Sequence, residues 1–384
     1  MNHEYFEERM TLVKEILKNH DLEHTSITPL EYDENCPFPY NNFLYKITLA
    51  EPAKPQSFFV HANKACTSLP PEEGVRSLVI RLSNPRAEGL NQTNRVQNEV
   101  AALHLARCGD DHNPLSKVFP AVYDWAPPLH SDASPAIGWV LMEFKPGVAL
   151  DQHFGTLSDK DSDKKAAIIS QIADVFSLIQ SAPLPDGVKY YGGLTISGDG
   201  SGAIVSGQMT TLAGGPWPSY GSFWRAKLAA QLRDSDESSV LQGWRGEHGI
   251  REPELVLVHG DLTMNNILFD PDTDKITGVV DFDFASVGHP CQEFFSSLRE
   301  VGGNVSSEET TEGTLWEDAL AARGILRPAT IQGMGSLKLI GRLEELLCPF
   351  RLAHPIFIAR QTAGQIMEGR AKAEEELVHC LVAL

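Results

Sequence analysis

Apolar residues recur at helical spacing near the start of the chain. Phe6, Met10, Val13 and Leu17 line one side of Glu4 to Lys18, with charges between them. That spacing predicts an amphipathic helix. The period then shortens. Phe43 to Leu49 (FLYKITL), Ser57 to His61 and Ser77 to Leu82 (SLVIRL) are short runs rich in β-branched and aromatic residues. Clusters at Pro37–Pro39 and Pro70–Gly74 punctuate them, and the combination predicts antiparallel strands in a meander. Asn94 to Cys108 returns to helical spacing, while Val118 to Trp125 and Ile137 to Phe144 (IGWVLMEF) predict two further strands.

Beyond Lys145-Pro146-Gly147 the pattern is mainly helical. Lys164 to Gln180 sets Ile168, Ile172, Val175 and Ile179 on one face. Helices are also expected over Ser219–Arg233, Cys291–Glu300, Leu315–Arg323, Ile331–Leu347 and Pro355–Leu384. Two hairpins interrupt them, at Gly193–Val205 and Asn266–Phe282. Leu184–Val188 and Val301–Thr311 are the most loop-like segments. A strand-rich part, a Pro-Gly joint and a helical part predict an α+β fold with two lobes, residues 1–144 and 145–384. The leading helix lies within residues 1–23 of the first lobe. No internal repeat is visible.

Composition narrows the class. Of 384 residues, 42% are apolar and 22% charged, which is ordinary globular usage and excludes collagen-like or wholly disordered chains. With 32 basic and 51 acidic side chains the net charge is −19. That sign argues against nucleic acid or an anionic membrane as the main partner. Six scattered cysteines form no Cys-x-x-Cys pair, as in a reduced protein. Met1 to Leu17 is charged throughout, and no stretch reaches the ~20 apolar residues that span a bilayer. A cytoplasmic protein is expected, of unknown oligomeric state.

The chemistry concentrates between Leu255 and Glu293. An apolar strand, Leu255 to Val258, delivers His259-Gly260-Asp261, and Asn266 follows five residues after Asp261. Ile267–Phe269 enters a Pro-Asp-Thr-Asp turn, and Ile276–Val280 leaves it to end at Asp281-Phe282-Asp283. Positions symmetric about a hairpin turn lie opposite one another, so Asn266 and Asp281 are expected side by side. Asp261 enters at the same end. A few hard oxygen donors suit a Mg2+ ion that also binds substrate phosphates.

The stretch HGDLTMNNILFD…GVVDFDFASVGHP resembles the aminoglycoside phosphotransferase and choline kinase family. The resemblance rests on His259-x-Asp261, Asn266, Asp281, Asp283, Gly288 and Pro290, and by the order of lobes it extends over roughly residues 24 to 380. It implies a protein-kinase-like fold that uses ATP and Mg2+. It implies that Asp261 is the catalytic base, that Asn266 and Asp281 hold the metal, and that His259 supports the loop. That division matches phosphoryl transfer, in which the protein mainly positions groups and neutralises charge.

The resemblance also points to a nucleotide site in the first lobe. Arg81 in SLVIRL stands where such folds carry a phosphate-touching lysine, and Glu99 on the next helix is the matching acid. Asn42 lies in the phosphate-proximal turn, which lacks the Gly-x-Gly-x-x-Gly pattern. Backbone near Glu143 would meet the adenine, with Met142 and Phe144 flanking it. Each has a plainer reading: a strand-edge charge for Arg81, a solvated helix face for Glu99, a simple turn for Asn42, ordinary core for the apolar pair. Gly198-x-Gly200-x-Gly202 has no helix after it and is no dinucleotide fingerprint. His289 and Cys291 lack a second pair that would make a zinc site.

The expected activity is transfer of the γ-phosphoryl group to a hydroxyl of a small metabolite or aminoglycoside-like molecule. The acidity, with Asp283 and Glu293 just after the metal motif, points to a cationic amino-alcohol. The Trp217, Tyr220, Phe223 and Trp224 cluster could wall a ligand site or form helix-packing core. A protein kinase fits poorly, because no Ala-Pro-Glu segment follows Asp281. A nucleotide-binding pseudokinase acting as a scaffold is the alternative, motivated by Arg81.

Overall fold

The computed structural model describes residues 2–30, 36, 38–61, 64–87, 89–108, 114–128, 137–158, 161–237, 255–305, 310–331 and 333–383. Pro37 and part of the expected Val301–Thr311 loop lie outside the described residues, as does Leu384. The chain forms two compact units. One comprises Met1–Pro216 with Leu255–Ile325, the other Trp217–Glu254 with Leu326–Leu384.

The first unit opens with helix α1 (Phe6–Asn19), which buries Val13 and Leu17 of the expected face together with Ile16, while Phe6 and Met10 are half-buried. They pack on one face of an antiparallel sheet made of β1 (His24–Leu30), β2 (Asn42–Ala53), β3 (Val75–Ser83), β4 (Val122–Ala126) and β5 (Trp139–Glu143). The strand order is β1-β2-β3-β5-β4. Strand alternation gives Phe43, Tyr45, Ile47, Leu78, Ile80 and Leu82 to the α1 face. Arg81 therefore points to the other face, paired in register with Leu44 on β2 and Val140 on β5. Helix α2 (Arg95–Cys108) runs between β3 and β4 in sequence and is buried on nearly every side.

Three local expectations change. Pro55–His61 is a 3-10 turn where Ser57–His61 was expected as a strand; Pro55 at its start fixes a helical φ and offers no N–H to a ladder. The strand expected from Val118 begins at Val122, because Pro120 cannot donate and Pro114–Val118 is another 3-10 turn. Strand β1 (HTSITPL) had no apolar alternation to announce it; it is a largely exposed edge strand that tolerates Pro29.

The rest of the unit frames the motif. Strand β6 (Val148–Ala149) leads into α3 (Leu150–Phe154) and α4 (Ser162–Gln180). Helix α4 buries Ile168, Ile172, Val175 and Ile179, as read from their spacing. The hairpin β7 (Gly193–Ile196) with β8 (Ile204–Gly207) follows. Strand β9 (Val256–Val258) pairs with β12 (Ser286–Gly288), and β10 (Ile267–Asp270) lies between β6 and β11 (Lys275–Val279). Cys291–Glu300 is not one helix: α6 covers only Glu293–Ser296. Leu298 turns left-handed at φ 59° so that its N–H can donate to the Leu262 carbonyl at 3.1 Å. Helix α7 (Thr311–Ala322) packs on α4, where Trp316 meets Phe176 edge-on at 5.5 Å.

The second unit is helical: α5 (Tyr220–Glu237), α8 (Met334–Leu347), α9 (Phe350–Ala353), α10 (Pro355–Ala359) and α11 (Ala363–Ala383). Leu343, Leu346, Leu347, Leu377 and Cys380 form its core, with Leu228 and Leu232 against them. Tyr220, Phe223 and Trp224 are buried and pack ring on ring, so they are core. The expected Pro355–Leu384 helix is divided. The Thr362 hydroxyl accepts from the Gln365 N–H at 3.3 Å and starts a new helix there. Among the described residues, no helix is long and apolar enough to cross a membrane, and no disulfide links the cysteines.

Candidate active site

Strand β9 ends at His259, and a buried carboxylate shapes the loop that follows. Glu293, 1% exposed, accepts from the His259 N–H at 2.7 Å and from the Gly260 N–H at 3.1 Å. The Ser297 hydroxyl donates to the same carboxylate at 2.5 Å and accepts from the Leu262 N–H at 2.9 Å. Gly260 sits at φ +85°, and a Cβ there would lie 2.4 Å from the Phe284 carbonyl oxygen, so only glycine fits. His259 is fully buried. Its Nε2 lies 3.1 Å from the Val280 carbonyl, and its Nδ1 accepts from the Asp261 N–H at 3.3 Å. One nitrogen donates and the other accepts, so the ring is neutral. Burial also holds its pKa below the usual histidine range. His259 is thus a loop support.

Asp261 is half-buried at the mouth of this loop. Asn266 Nδ2 donates to its Oδ2 at 2.9 Å and to its carbonyl at 2.8 Å. Burial, then the nearby Asp281 carboxylate, push the Asp261 carboxyl up to about 6, against the Asn266 hydrogen bond. Asn266 itself is displaced by one residue from its expected partner. Asp270 pairs with Lys275, which centres the turn a residue earlier than the symmetric reading, and a bulge between Leu268 and Phe269 recovers only part of that offset. The Asn266 carbonyl then accepts from Val280 N–H at 3.0 Å, and Asp281 lies one position beyond. Asp281 takes a left-handed backbone, φ 64° and ψ 61°, a conformation that Asp and Asn tolerate better than most residues.

The Asp281 side chain reaches solvent, yet protein crowds it on its other sides. That desolvation and the neighbouring Asp283 raise its pKa, against the pull of Arg81 and Arg95. A carboxylate held at such a cost would gain from a divalent cation. The amide oxygen of Asn266 offers a second hard donor, since its NH2 group is turned to Asp261. The pair fits Mg2+, which completes its shell with waters and phosphate oxygens. Among the described residues, no group of three or more His, Cys, Asp or Glu side chains could hold an ion by itself.

Behind Asp281 lies a buried charge cluster. Arg81 Nη1 is 2.5 Å from Glu99 Oε2, and its Nη2 is 2.8 Å from Asp283 Oδ1. These are ion pairs without hydrogen-bond alignment, and all three guanidinium nitrogens are shut off from solvent. Glu99 is 1% exposed, and burial pushes its carboxyl up against the pull of Arg81. Burial also pushes Asp283 up, but Arg81 and Arg95 outweigh it and hold its carboxyl below the usual range. Asn42 joins the cluster: its Nδ2 donates to Asp283 Oδ2 at 3.2 Å and its Oδ1 accepts from Arg95 at 2.9 Å. Asp283 and Glu293 are therefore both consumed inside the protein. The inference of a cationic acceptor from these two residues does not hold.

At the end of β5, Met142 is buried and Phe144 half-buried, with Lys46 Nζ 4.0 Å from the Phe144 ring centre. The Glu143 N–H already donates to the Ala121 carbonyl at 2.8 Å, and its side chain pairs with Lys145 at 2.7 Å. His289 Nδ1 accepts from the Cys291 N–H at 2.9 Å; this cap explains their spacing without a metal.

The structure thus brings Asp261, Asn266 and Asp281 together, and joins Arg81, Glu99 and Asn42 through Asp283. Sequence reasoning missed Arg95, which stands beside Glu99 in NRVQNEV without a visible partner. It also missed Ser297 and the role of Asn98. Asn98 Nδ2 donates to the Ala285 carbonyl at 2.8 Å and its Oδ1 accepts from the Leu194 N–H at 2.7 Å. The recurrence of Asn94, Arg95, Asn98 and Glu99 in an otherwise apolar helix was the one available signal.

Comparison with known proteins finds phosphotransferases. An aminoglycoside 3'-phosphotransferase of Streptomyces ribosidificus is 26% identical over 157 residues, 39% of this chain and 48% of that protein. One from Streptomyces fradiae is 35% identical over 86 residues, 20% of this chain and 32% of that protein. The chain thus spans about half the length, or less, of these curated relatives. The crystal structure of an ADP-bound aminoglycoside phosphotransferase aligns over 94% of this chain and 96% of its own, at 12% identity and a TM-score of 0.42. The model of the phosphotransferase enzyme family matches residues 71–333, more than half of the sequence. The chain belongs to that family.

Proposed function

We propose that this protein transfers the γ-phosphoryl group of ATP to a hydroxyl of a small molecule, with Mg2+ on the phosphates. The observation that carries the reading is Asp261, oriented by Asn266 and raised to about 6, beside the crowded Asp281 carboxylate. Asn266 holds Asp261 Oδ2, which leaves Oδ1 to accept the proton of the acceptor hydroxyl as the general base. Asn266 and Asp281 hold the metal, which supplies charge neutralisation on the phosphates when bound. Arg81, Glu99 and Asn42 shape the phosphate end of the nucleotide site. Met142, Glu143 and Phe144 line its base end, at the joint between lobes 1–144 and 145–384. Aminoglycosides, named for both curated relatives, are the first acceptors to try, and amino-alcohols the second. The cytoplasm, with its ATP, is the compartment this activity requires.

A second reading, a nucleotide-binding scaffold, is favoured by one observation: the Arg81 guanidinium is closed off from solvent. Two measurements separate them. ATP should raise the unfolding midpoint more with Mg2+ than without, and Asp281→Asn should erase that difference while keeping the left-handed backbone. Mass spectrometry should then find a phosphorylated aminoglycoside or amino-alcohol. A Mg-dependent shift without any phosphorylated product would favour the scaffold. No shift at millimolar nucleotide would overturn both.

A further inference from the structure

We propose that Arg95 is a positioning residue for the metal-binding turn, acting through Asp283; this rests on the phosphotransferase reading above. Arg95 is wholly buried in the first turn of α2. Its Nε donates to Asp283 Oδ1 at 2.7 Å and its Nη2 to Asp283 Oδ2 at 2.5 Å, a two-pronged grip. The same Nη2 donates to the Asn41 carbonyl at 2.8 Å and to Asn42 Oδ1 at 2.9 Å. Nη1 reaches Gln92 Oε1 at 3.4 Å.

One guanidinium thereby joins three segments: the turn before β2, the start of α2 and the turn after β11. The buried charges alternate along a chain, Glu99, Arg81, Asp283 and Arg95, and their signs cancel. Asp281 is left outside that balance, two residues from Asp283. Its left-handed backbone is held on one side by the Asn266–Val280 bond and on the other by the fixed Asp283. Loosening Asp283 would let the turn relax and take the Asp281 carboxylate away from the metal position. Lysine could not replace Arg95, because a single ammonium cannot hold both Asp283 oxygens and the Asn41–Asn42 turn in one plane.

The test compares Arg95→Lys, Asp283→Asn and the double variant by nucleotide affinity, measured calorimetrically with ATP alone and with Mg·ATP. Each single variant is expected to lose about tenfold more affinity for Mg·ATP than for ATP alone, as residues that orient a metal ligand do. The double variant should lose no more than either single one, because both act on one contact. Wild-type Mg·ATP affinity in Arg95→Lys, additive losses, or equal loss without Mg2+ would each overturn the proposal. If Arg95→Lys does not fold, Asp283→Asn decides: its loss must be greater for Mg·ATP than for ATP alone. A wild-type protein that binds no Mg·ATP overturns the phosphotransferase reading itself, which the variants are not needed to see.

Discussion

Asp261 is a carboxyl that the fold holds against its preference. Its value of about 6 exceeds that of an unfolded chain, about 3.9, so the folded state binds the proton more tightly. Ionising it therefore costs stability, and the cost appears as pH rises from about 4 to 6 and is complete above that range. Asp261→Asn removes the cost and keeps an oxygen for the Asn266 hydrogen bond. The variant should be more stable than wild type by about 1–2 kcal/mol at pH 8, with no gain near pH 4; urea unfolding at both pH values would show it. Its turnover should fall by about 10^2 to 10^4, the usual worth of a positioned base. In the wild type, kcat/KM should rise with pH through about 6, because the base works ionised. His259 will not blur that curve, since burial lowers its pKa and both ring nitrogens are engaged.

The hairpin from Asn266 to Asp281 shows how far spacing carries an argument at the scale of an element. The strands flanking Asn266 and Asp281 were legible because apolar runs end at those residues and a Pro-Asp-Thr-Asp turn separates them. The one-residue register offset was not, because neither the centre of the turn nor the bulge leaves a mark in composition. The same holds for β1, a polar edge strand, and for the broken segment after Cys291, where long-range bonds to Leu262 override local helix preference. Arg81 and Glu99 were placed by the family resemblance, and the structure pairs them at 2.5 Å. Arg95 was not placed, since its partner Asp283 lies 188 residues away. Asn98 makes a sharper test of element packing. Asn98→Ala would leave the Leu194 N–H and the Ala285 carbonyl buried without partners, and should destabilise the protein by about 2–4 kcal/mol in denaturant unfolding.

At the scale of the whole molecule, the motif residues and their supports all fall in the first compact unit. The second unit is a separate helical body with its own leucine core. Although the net charge is −19, the turn before β2 is tied to buried Arg95, and Asp283, which that turn also contacts, pairs with buried Arg81. Helix α2 is gripped by more than those charges. Asn94 donates to the Leu194 and Gln208 carbonyls at 2.7 and 2.8 Å, the Gln97 side chain accepts from the Thr195 hydroxyl, and Asn98 ties Leu194 to Ala285. The β7–β8 hairpin thus acts as a latch on the helix whose Glu99 lies 2.5 Å from Arg81. Amide hydrogen exchange in α2 should be as slow without nucleotide as with it. On the proposed phosphotransferase reading, a helix latched in this way would need no separate signal to set it in place. Such an enzyme would work at a pace set by the nucleotide and acceptor that reach it, as an open tap runs only as fast as its supply.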